Sequence, residues 1–515
     1  MNLGFWGAAA ENPDRVALIE VGGRTRTAGQ LLAQANRLVH GLRGMGLGRK
    51  SAVACVVGNQ LETIELFMAI AQAGMYLVPI NWHLAAPEIA YILEDSQAEI
   101  LVCGPEFADR CRQACDEAGL AADKVFCTGD VEGFRAYSEL TDGQPDTLPD
   151  DRLAGSPMHY TSGTTGKPKG VRRPSMDLPP EAVSTGYAQF MMLFGVRPGG
   201  DAVHLTVAPT YHTAVMNFTT SSLHLGHTVV LMPTWESETV LQAIQEHRVT
   251  WSHMVPTHFV RLLALSDEVR DKYDMSSWQQ VIHSAAPCPV DIKHAMLQWW
   301  GNVIYEYYAA TEGGGTLIDG AQWLKKPGSV GKAWPGSEIE VRDDDLKAVA
   351  PGEVGTVYMA MGQHKFEYHG DEAKTDDAWS GRFFTVGDAG YLDEDGYLFL
   401  VDRKVDMIIS GGVNIYPAEV ESALIMHPQV ADVAVFGIPH DDFGEQVKAV
   451  VQLPPGVQAS DALGAEILTW SRTRIAGYKV PRSLDFTEEL PRDPNGKLYK
   501  RKLRDPYWEG RTRAI

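Results

Sequence analysis

The sequence predicts an α/β protein with a large, multi-layered amino-terminal domain of mainly parallel sheet and a smaller α+β domain near its carboxy terminus. Its 515 residues and 56.5 kDa exceed what one hydrophobic core usually serves, so two to four domains are expected. Helical and strand-like patterns alternate over most of the length, which is typical of helices layered on a parallel sheet. From Pro351 the pattern changes to short strands and turns, which indicates a different architecture.

Two stretches illustrate the alternation in the first part of the chain. Residues 61–73 carry apolar side chains at helical spacing and are followed by Gly74 and a strand-like run at 76–80. A second predicted helix, at 241–247, leads into a buried strand at 250–255. A helix followed closely by an apolar strand is the repeating unit of a parallel sheet, so we expect such a sheet here.

The later part predicts shorter elements. Residues 391–400 form a predicted hairpin with Asp395 and Gly396 at its turn. After Asp402 and Arg403 the pattern predicts a compact α+β unit of about 110 residues, a usual size for a small domain. Its predicted elements are a first strand, a helix at 417–426, strands at 433–438 and 447–453, and a helix at 462–475.

Composition and charge exclude several classes of partner. The formal charge of −21 and the pI near 5.2 argue against general affinity for nucleic acid or anionic membranes. Any anionic ligand must therefore be attracted by local lysines and arginines. The stretch 497–513 is locally basic, and both a solvated chain end and a role in attracting phosphate remain open for it.

The cysteines and the first residues predict a cytoplasmic setting. Cys111 and Cys115 would share one face of a helix, but no CxxC pair accompanies them, so we expect structural cysteines and no metal site. So few cysteines in a long chain are typical of a reducing compartment. The first ten residues lack a basic segment, so no signal peptide is expected, and no apolar run approaches the ~20 residues of a membrane helix. The six cysteines are Cys55, Cys103, Cys111, Cys115, Cys127 and Cys288.

Residues 160–171 are the most informative segment of the chain. After a short apolar strand at 156–160 they supply three glycines, two lysines and four hydroxyl side chains. Glycines let a backbone turn its N–H groups inward, and hydroxyls and lysines add donors, so the loop is suited to hold a polyphosphate. It is not a Walker P-loop, because Pro168 follows Lys167 where that motif requires Ser or Thr. The alternative, a surface turn rich in Gly and Thr, fits a twelve-residue pattern poorly.

This loop resembles the phosphate loop of the adenylate-forming (ANL) superfamily, and five further segments match that superfamily in the expected order up to about residue 500. The resemblance implies an AMP-binding domain over residues 1–402 and a mobile lid domain over residues 403–515, a boundary that no flexible linker marks. It also implies ATP and coenzyme A as substrates and Mg²⁺ as cofactor.

The resemblance assigns the nucleotide site residue by residue. Tyr308-Ala-Ala-Thr-Glu312 resembles a Tyr-Gly-x-Thr-Glu motif, with Ala309 where glycine is usual, and 385–388 resembles a Thr-x-Gly-Asp element that binds ribose. The implied contacts to ATP or AMP are Thr161, Ser162, Gly163, Thr164, Thr165, Gly166 and Lys167 in the loop, Ser284, Ala285, Ala286 and Pro287 beside the adenine, and Tyr307, Tyr308, Thr311, Asp388, Leu400 and Arg403.

Catalytic and metal roles follow from the same resemblance. Glu312, with Thr164, would hold Mg²⁺, which accepts one or two carboxylates together with waters and phosphate oxygens. Lys497, in a Pro-x4-Gly-Lys turn, would neutralise charge on the carboxylate and the α-phosphate. Glu312 and Lys497 also have a simpler interpretation as solvated surface charges. The implied catalytic set is Lys497, His212, Thr311 and Glu312, and the implied acyl pocket is Tyr211, His212, Ala309 and Gly313.

The lid contributes the predicted site for coenzyme A and the hinge. Gly411 and Gly412, with Lys404, would lie along the pantetheine arm, where glycine permits close approach to the backbone. Asp402 and Val405 mark the hinge. Val405 departs from the superfamily, which usually has Asp or Lys there, and a β-branched residue narrows the accessible backbone conformations. Whether both half-reactions occur on this chain is therefore left open.

The function implied is an AMP-forming acyl-CoA ligase acting on a hydrophobic carboxylic acid, which is adenylated and then passed to coenzyme A. The residues at 386–396 and 307–312 resemble the corresponding segments of ligases for bulky alicyclic, steroid-like or fatty acids. The alternatives are a relative that performs one half-reaction, one with another acceptor, and a nucleotide-binding protein without activity. A peptide-synthetase module is disfavoured because Thr210-Tyr211-His212 lacks an aspartate for an amino group, and no carrier domain is expected.

We expect no nucleic-acid partner and no integral membrane segment, and leave a homodimer open.

Overall fold

The computed structural model describes residues 4–161, 169–172, 177–199, 201–310, 312–362, 366–369, 372–403, 406–492 and 498–510. Its helices are α1 Phe5–Glu11, α2 Ala28–Gly44, α3 Leu61–Ala73, α4 Ala86–Asp95, α5 Ala108–Ala118, α6 Pro180–Met192, α7 Thr213–His224, α8 Ser237–His247, α9 Pro256–Leu263, α10 Asp267–Asp271, α11 Val290–Trp300, α12 Gly320–Trp323, α13 Glu372–Ala378, α14 Pro417–Leu424, α15 Asp461–Arg472 and α16 Lys500–Arg504. Short 3-10 turns lie at Pro105–Phe107, Ala122–Lys124, Tyr137–Leu140, Gly477–Lys479 and Asp505–Trp508.

The strands of the same residues are β1 Val16–Glu20, β2 Thr25–Thr27, β3 Ala52–Val56, β4 Tyr76–Pro79, β5 Ala98–Cys103, β6 Val125–Cys127, β7 Arg135–Ala136, β8 Ser156–Pro157, β9 His159–Thr161, β10 Lys169–Arg172, β11 Val203–Thr206, β12 Thr228–Leu231, β13 Trp251–Met254, β14 Gln280–His283, β15 Ile304–Ala310, β16 Gly313–Asp319, β17 Lys332–Ala333, β18 Ser337–Arg342, β19 Gly355–Met361, β20 Glu367–Tyr368, β21 Trp379–Ser380, β22 Phe383–Phe384, β23 Asp388–Leu392, β24 Leu398–Arg403, β25 Ile408–Ser410, β26 Val413–Ile415, β27 Asp432–His440, β28 Gly444–Gln452 and β29 Ser483–Thr487.

Two large sheets form the first domain. One has nine strands in the order β17-β16-β15-β14-β13-β11-β12-β1-β2, and its central strands from β15 to β1 are parallel. The other has six parallel strands in the order β7-β6-β5-β3-β4-β8. The predicted multi-layered domain of mainly parallel sheet is therefore confirmed. No helix in the described ranges combines the length and apolar character needed to cross a membrane.

Helices α2 and α3 join these two sheets through one hydrophobic core. The core includes Leu18 of β1 from the nine-stranded sheet and Val53 of β3 from the six-stranded sheet. Helix α3 is buried on nearly every face and ends at Gly74, whose φ of 71° lies in the left-handed region that favours glycine. Its bounds agree with the predicted helix at 61–73.

Burial of α3 leaves two carboxylates in the interior. Arg24 donates to both oxygens of Glu62 at 2.6 and 2.9 Å. Arg26 donates to Glu65 at 3.2 Å, and the Tyr137 hydroxyl donates to the same carboxylate at 3.3 Å. Burial and, to a smaller extent, the neighbouring charge of Glu62 together raise the pKa of Glu65 to about 7, against the opposing effect of Arg26. Hydrogen-bonded partners are what make buried carboxylates tolerable.

Three smaller sheets complete the fold. Strands β20, β10 and β9 form an antiparallel sheet around the phosphate loop, and β18, β19 and β21–β24 form another antiparallel sheet. The predicted hairpin at 391–400 is confirmed as β23 and β24.

The single strand predicted at 156–160 is wrong. Ser156 and Pro157 pair with β4, whereas residues 159–161 pair with β10. The chain leaves the parallel sheet at Met158, so the segment is divided into two short strands.

The carboxy-terminal unit is α+β, as predicted. Strands β26, β25, β28 and β27 are antiparallel neighbours, and β29 adds to β28 in parallel. Helices α14 and α15 pack on this sheet over a core that includes Val420, Val435 and Ile467. Strand β24 runs through Arg403, so the predicted boundary at 402/403 falls at the end of a strand.

Replacing Glu65 with Gln should change how stability depends on pH. Because the folded-state pKa of about 7 lies above the ordinary value, the folded protein favours the protonated carboxyl. Lowering the pH from 8 to 5 should therefore stabilise the native protein relative to Glu65→Gln, by on the order of 3 kcal/mol. Thermal or urea unfolding of both proteins across this range measures the difference.

Glu117→Gln, at an exposed position of α5, controls for the loss of one negative charge. Parallel stability curves for the native protein and Glu65→Gln would show that Glu65 does not titrate in this range.

Candidate active site

Predicted nucleotide residues converge where two antiparallel pairs of strands meet. The hydroxyl of Tyr308, on β15, donates to the carboxylate of Asp388, on β23, at 2.7 Å. In the pairing of β23 with β24, Asp388 lies directly opposite Arg403. Leu400 lies on the same strand, opposite Gly390. An aromatic ring, a carboxylate and an arginine position thus lie together, although Tyr308 and Asp388 are 80 residues apart in the sequence.

Glu312 is held by a residue that no motif identified. The Tyr368 hydroxyl donates to the Glu312 carboxylate at 2.8 Å. Burial, together with the negative charge of Glu312, raises the pKa of Tyr368, so the hydroxyl keeps its proton. Tyr368 is on β20, where it pairs with Val171 of β10, the strand that leaves the phosphate loop. The predicted metal ligand is therefore tied to the sheet that carries the loop.

The ends of the phosphate loop are fixed by pairing. Thr161 pairs with Lys169 and Tyr160 with Gly170. The Tyr160 ring lies over Gly170, where a Cβ atom would be 3.0 Å from the ring carbon Cζ. The Tyr160 hydroxyl donates to Asp95 at 2.6 Å. Both stems of the predicted polyphosphate loop are thus anchored on the first domain.

The predicted adenine-flanking segment rests on a buried histidine. The Ser284 hydroxyl lies 3.0 Å from Nε2 of His253, and the Tyr307 hydroxyl lies 3.5 Å from the same nitrogen. Burial lowers the pKa of His253 to about 3, so its ring is neutral at physiological pH. Ala285 has a φ of 76°, a left-handed conformation that costs an alanine about 1 kcal/mol. Ala286 and Pro287 continue this turn toward α11.

His212 stands at the start of α7, as its N-cap residue. The preceding Tyr211 is mostly buried, and its ring packs edge-on against Trp82 with 4.5 Å between ring centroids. The Tyr211 and His212 rings are 4.3 Å apart. Of these two predicted pocket residues, Tyr211 is buried and His212 is half-buried.

Small residues at the other side of the predicted acyl pocket border an aromatic cluster. Ala309 of β15 and Ala214 of α7 pack against this cluster. Gly313 begins β16. At Gly315, two residues later, an added Cβ atom would lie 2.4 Å from the Trp334 ring and 2.3 Å from the Tyr308 carbonyl oxygen. Glycine is therefore required at 315. The aromatic cluster comprises Phe190, Phe194, Phe218, Tyr307 and Trp334.

The predicted hinge residue Asp402 lies on β24, and the predicted coenzyme A residues Gly411 and Gly412 lie on the smaller carboxy-terminal unit. The Asp402 carboxylate accepts a hydrogen bond from the Ala418 N–H at 2.9 Å, in the first turn of α14. Gly411 and Gly412 form the turn between β25 and β26 with φ of 59° and 79°. The Phe443 carbonyl accepts a hydrogen bond from Gly411 N–H at 2.8 Å.

Several predicted residues lie outside the described residues, and their assignments stay predictions. These are Ser162, Gly163, Thr164, Thr165, Gly166, Lys167, Thr311, Lys404, Val405 and Lys497, together with the side chains of Thr161 and Arg403.

Comparison with known proteins agrees with this geometry. Residues 5–365 match the family model described as AMP-binding enzyme, and residues 419–497 match that of the AMP-binding enzyme C-terminal domain. The chain belongs to the AMP-binding enzyme family. This family is the adenylate-forming superfamily that the phosphate loop indicated, so ATP and coenzyme A as substrates and Mg²⁺ as cofactor fit this chain. The gap between the two matched ranges contains the predicted boundary at 402/403, which remains a prediction.

Similar curated proteins include acyl-CoA ligases and synthases. The chain is 34% identical over 491 residues to the long-chain-fatty-acid–CoA ligase FadD13 of Mycobacterium tuberculosis, covering 93% of each protein. It is 33% identical over 507 residues to a feruloyl-CoA synthase of a Streptomyces species, covering 98% of each. Among solved structures, the anthranilate CoA ligase AuaEII in complex with anthranoyl-AMP superposes with a TM-score of 0.84 at 26% identity, over 98% of this chain and 97% of that one.

Replacing Tyr368 with Phe should weaken the response to Mg²⁺. The hydroxyl orients the Glu312 carboxylate, and loss of a group that orients a metal ligand typically costs about tenfold or more in metal affinity. We expect the Mg²⁺ concentration for half-maximal ATP–pyrophosphate exchange to rise roughly tenfold. Tyr273→Phe is a matched control, because the Tyr273 hydroxyl likewise donates to a carboxylate, that of Glu238, at 2.7 Å, and Glu238 is not a predicted site residue. An equal Mg²⁺ response in both variants would contradict the assignment.

Proposed function

We propose that this protein is an AMP-forming acyl-CoA ligase that adenylates a hydrophobic carboxylic acid and then transfers the acyl group to coenzyme A. The observation that carries the proposal is the meeting of Tyr308, Asp388 and the Arg403 position, with Tyr308 packed against the core that contains Val171 of β10, the strand after the phosphate loop. Tyrosine, carboxylate and arginine match the three chemical parts of AMP: a flat purine, a ribose diol and a phosphate.

In the first step a carboxylate oxygen attacks the α-phosphorus of ATP, and pyrophosphate leaves with the electrons of the broken P–O bond. Both reactants are anions, whereas the protein has a formal charge of −21, so local cations and N–H donors must offset the repulsion. The phosphate loop and Lys497 are the proposed sources of that positive potential.

Mg²⁺ fits the residues at this place. Glu312 offers a carboxylate whose position is fixed by Tyr368, and no cluster of three or more His, Cys, Asp or Glu side chains competes for a metal within the described ranges. A site with one protein carboxylate suits Mg²⁺, which keeps waters and phosphate oxygens as its other ligands. When bound, the ion supplies charge neutralisation on the triphosphate.

In the second step the thiol sulfur attacks the acyl carbonyl carbon, and AMP leaves. The lid has a surface suited to the nucleotide end of coenzyme A. Phe443 is 38% exposed, and the Arg482 guanidinium lies over its ring at 4.3 Å. The ring lies against the Gly411 turn, where a Cβ atom would approach Phe443 Cδ1 to 3.0 Å. An exposed aromatic ring beside an arginine can stack on a purine and bind a phosphate.

The acid is proposed to be apolar, and its identity is open among fatty, aryl and bulky alicyclic or steroid-like acids. The support is the pair of small residues, Ala214 and Ala309, that border the aromatic cluster near His212. Apolar walls with few polar groups are typical of sites for apolar ligands. A panel of short, long, aryl and polycyclic acids distinguishes these classes.

A different acceptor is the main alternative for the second step. The chain is 31% identical over 505 residues to the fatty acid–[acyl-carrier-protein] ligase ScoC of Streptomyces coeruleorubidus, covering 96% of this chain and 94% of that protein. The deciding experiment has two assays on the same acid panel: label exchange from pyrophosphate into ATP, and release of AMP with coenzyme A. No exchange with any acid would refute the adenylation step, and exchange without thioester would favour another acceptor or a half-reaction enzyme.

The cellular setting is also a proposal. All six cysteines are free, and Cys55, Cys103, Cys111, Cys115 and Cys127 are buried, which supports a reducing, cytoplasmic compartment. A homodimer stays a prediction.

Lys497→Ala should impair the first step selectively. Removal of one preorganised electrostatic group typically costs about 10²–10³ in rate, so adenylation should fall by that factor. Thioester formation from supplied acyl-AMP should persist, because no second anion then has to approach the phosphate. Pyrophosphate exchange and single-turnover thioester formation measure the two steps. Equal losses in both would refute the separation of roles.

Arg482→Ala should impair the second step selectively. Loss of the guanidinium removes both a phosphate contact and the cation over Phe443, so KM for coenzyme A should rise roughly tenfold with pyrophosphate exchange unchanged. Arg474→Ala is the matched control, because Arg474 lies over the Trp470 ring at 3.5 Å in the same unit. Unchanged KM in Arg482→Ala, or the same rise in both variants, would place coenzyme A elsewhere.

A further inference from the structure

The segment Ala208–His212, here called the carboxylate loop, joins β11 to α7 and ends at His212. It belongs to no helix or strand, and within it the His212 N–H donates to the Pro209 carbonyl at 3.2 Å. Its position depends on side chains from other parts of the chain.

Asn59 is one of these side chains. Its Nδ2 donates to the Ala208 carbonyl at 2.9 Å and to the Met232 carbonyl at 3.0 Å, and its Oδ1 accepts from the Thr210 N–H at 2.9 Å. Asn59 is only 4% exposed. Both amide hydrogens and the amide oxygen are therefore used, in a buried place where an unmatched polar atom would be costly.

His159 holds the other end of the loop. Its Nδ1 lies 3.1 Å from the Tyr211 carbonyl oxygen, and the ring is buried at 4% exposure. A carbonyl oxygen only accepts hydrogen bonds, so Nδ1 is the donor. His159 begins β9, two residues before Thr161, so its ring connects the carboxylate loop directly to the strand that enters the phosphate loop.

We propose that Asn59 and His159 are positioning residues that fix the carboxylate loop relative to the phosphate loop and thereby set the affinity for the acid. The inference rests on the proposed function, because it takes His212 as a neighbour of the acid carboxylate. Asn59 controls the distance of the loop from β12 and the start of α3, and His159 controls its distance from β9.

Asn59→Asp tests the first contact with little change of shape. One amide nitrogen becomes an oxygen that faces the Ala208 and Met232 carbonyl oxygens, so two attractions become repulsions. We expect KM for the acid in pyrophosphate exchange to rise roughly 10- to 100-fold, with KM for ATP changed less than threefold. Asn59→Ser, which removes the amide without adding charge, should act in the same direction and serves if the aspartate variant does not fold.

Asn36→Asp is the matched control. Asn36 is also buried, donates from Nδ2 to the Asp146 carbonyl at 2.8 Å and accepts from Gln72 at 3.0 Å. Neither of these two hydrogen bonds involves the carboxylate loop or the phosphate loop. A merely structural effect of a buried Asn→Asp change should therefore lower the melting temperature in both variants, but only Asn59→Asp should change the ratio of the two KM values.

Two changes at His159 test the second contact. His159→Leu removes the donor and should raise KM for the acid, whereas His159→Asn places an amide N–H near the position of Nδ1 and should recover most of the affinity. Recovery by asparagine separates positioning by a hydrogen bond from loss of ring packing.

The outcomes are distinct. If native protein exchanges label but Asn59→Asp and Asn59→Ser leave the acid KM unchanged, or raise both KM values equally, the positioning role is overturned. Equal behaviour of Asn36→Asp and Asn59→Asp overturns it as well. If native protein exchanges no label with any acid, the proposed function has failed instead.

Discussion

The burial of helix α3 between two parallel sheets is the constraint on which the first domain depends. A helix with apolar contacts on nearly every face cannot shift without opening the core on both sides. Its two interior carboxylates, Glu62 and Glu65, further fix it through Arg24 and Arg26. Because Asn59 lies only two residues before this helix, the rigidity of the core extends to the segment that carries His212.

The local elements were largely predictable from the sequence. The helix at 61–73 was predicted within its observed bounds, because an apolar stripe ending at glycine is a local signal. The hairpin of β23 and β24 followed from Asp395 and Gly396 in the same way. The strand at 156–160 was wrong because its division depends on two different partner strands, β4 and β10, which no local pattern specifies.

The site was predicted as motifs, and its supporting residues were not. Asp388 and Glu312 were found because they stand within characteristic segments. Tyr368, His253 and Asn59 were missed, because each is a single polar residue whose partner lies far away in sequence, and nothing in its neighbourhood marks it. Such side chains become recognisable only when topology brings distant strands together.

Strand β24 has a mechanical consequence for catalysis. At one end Leu398 bonds to Val330 and Gly331, and at the other Arg403 pairs with Asp388. A strand anchored at both ends transmits little torsion, so a swing of the smaller unit would be taken up beyond Arg403 and would leave Asp388 and Arg403, the proposed ribose-binding pair, in place. The acyl-AMP would then stay bound through its ribose while the groups around its acyl end change. Such retention protects a mixed anhydride from water between the two chemical events.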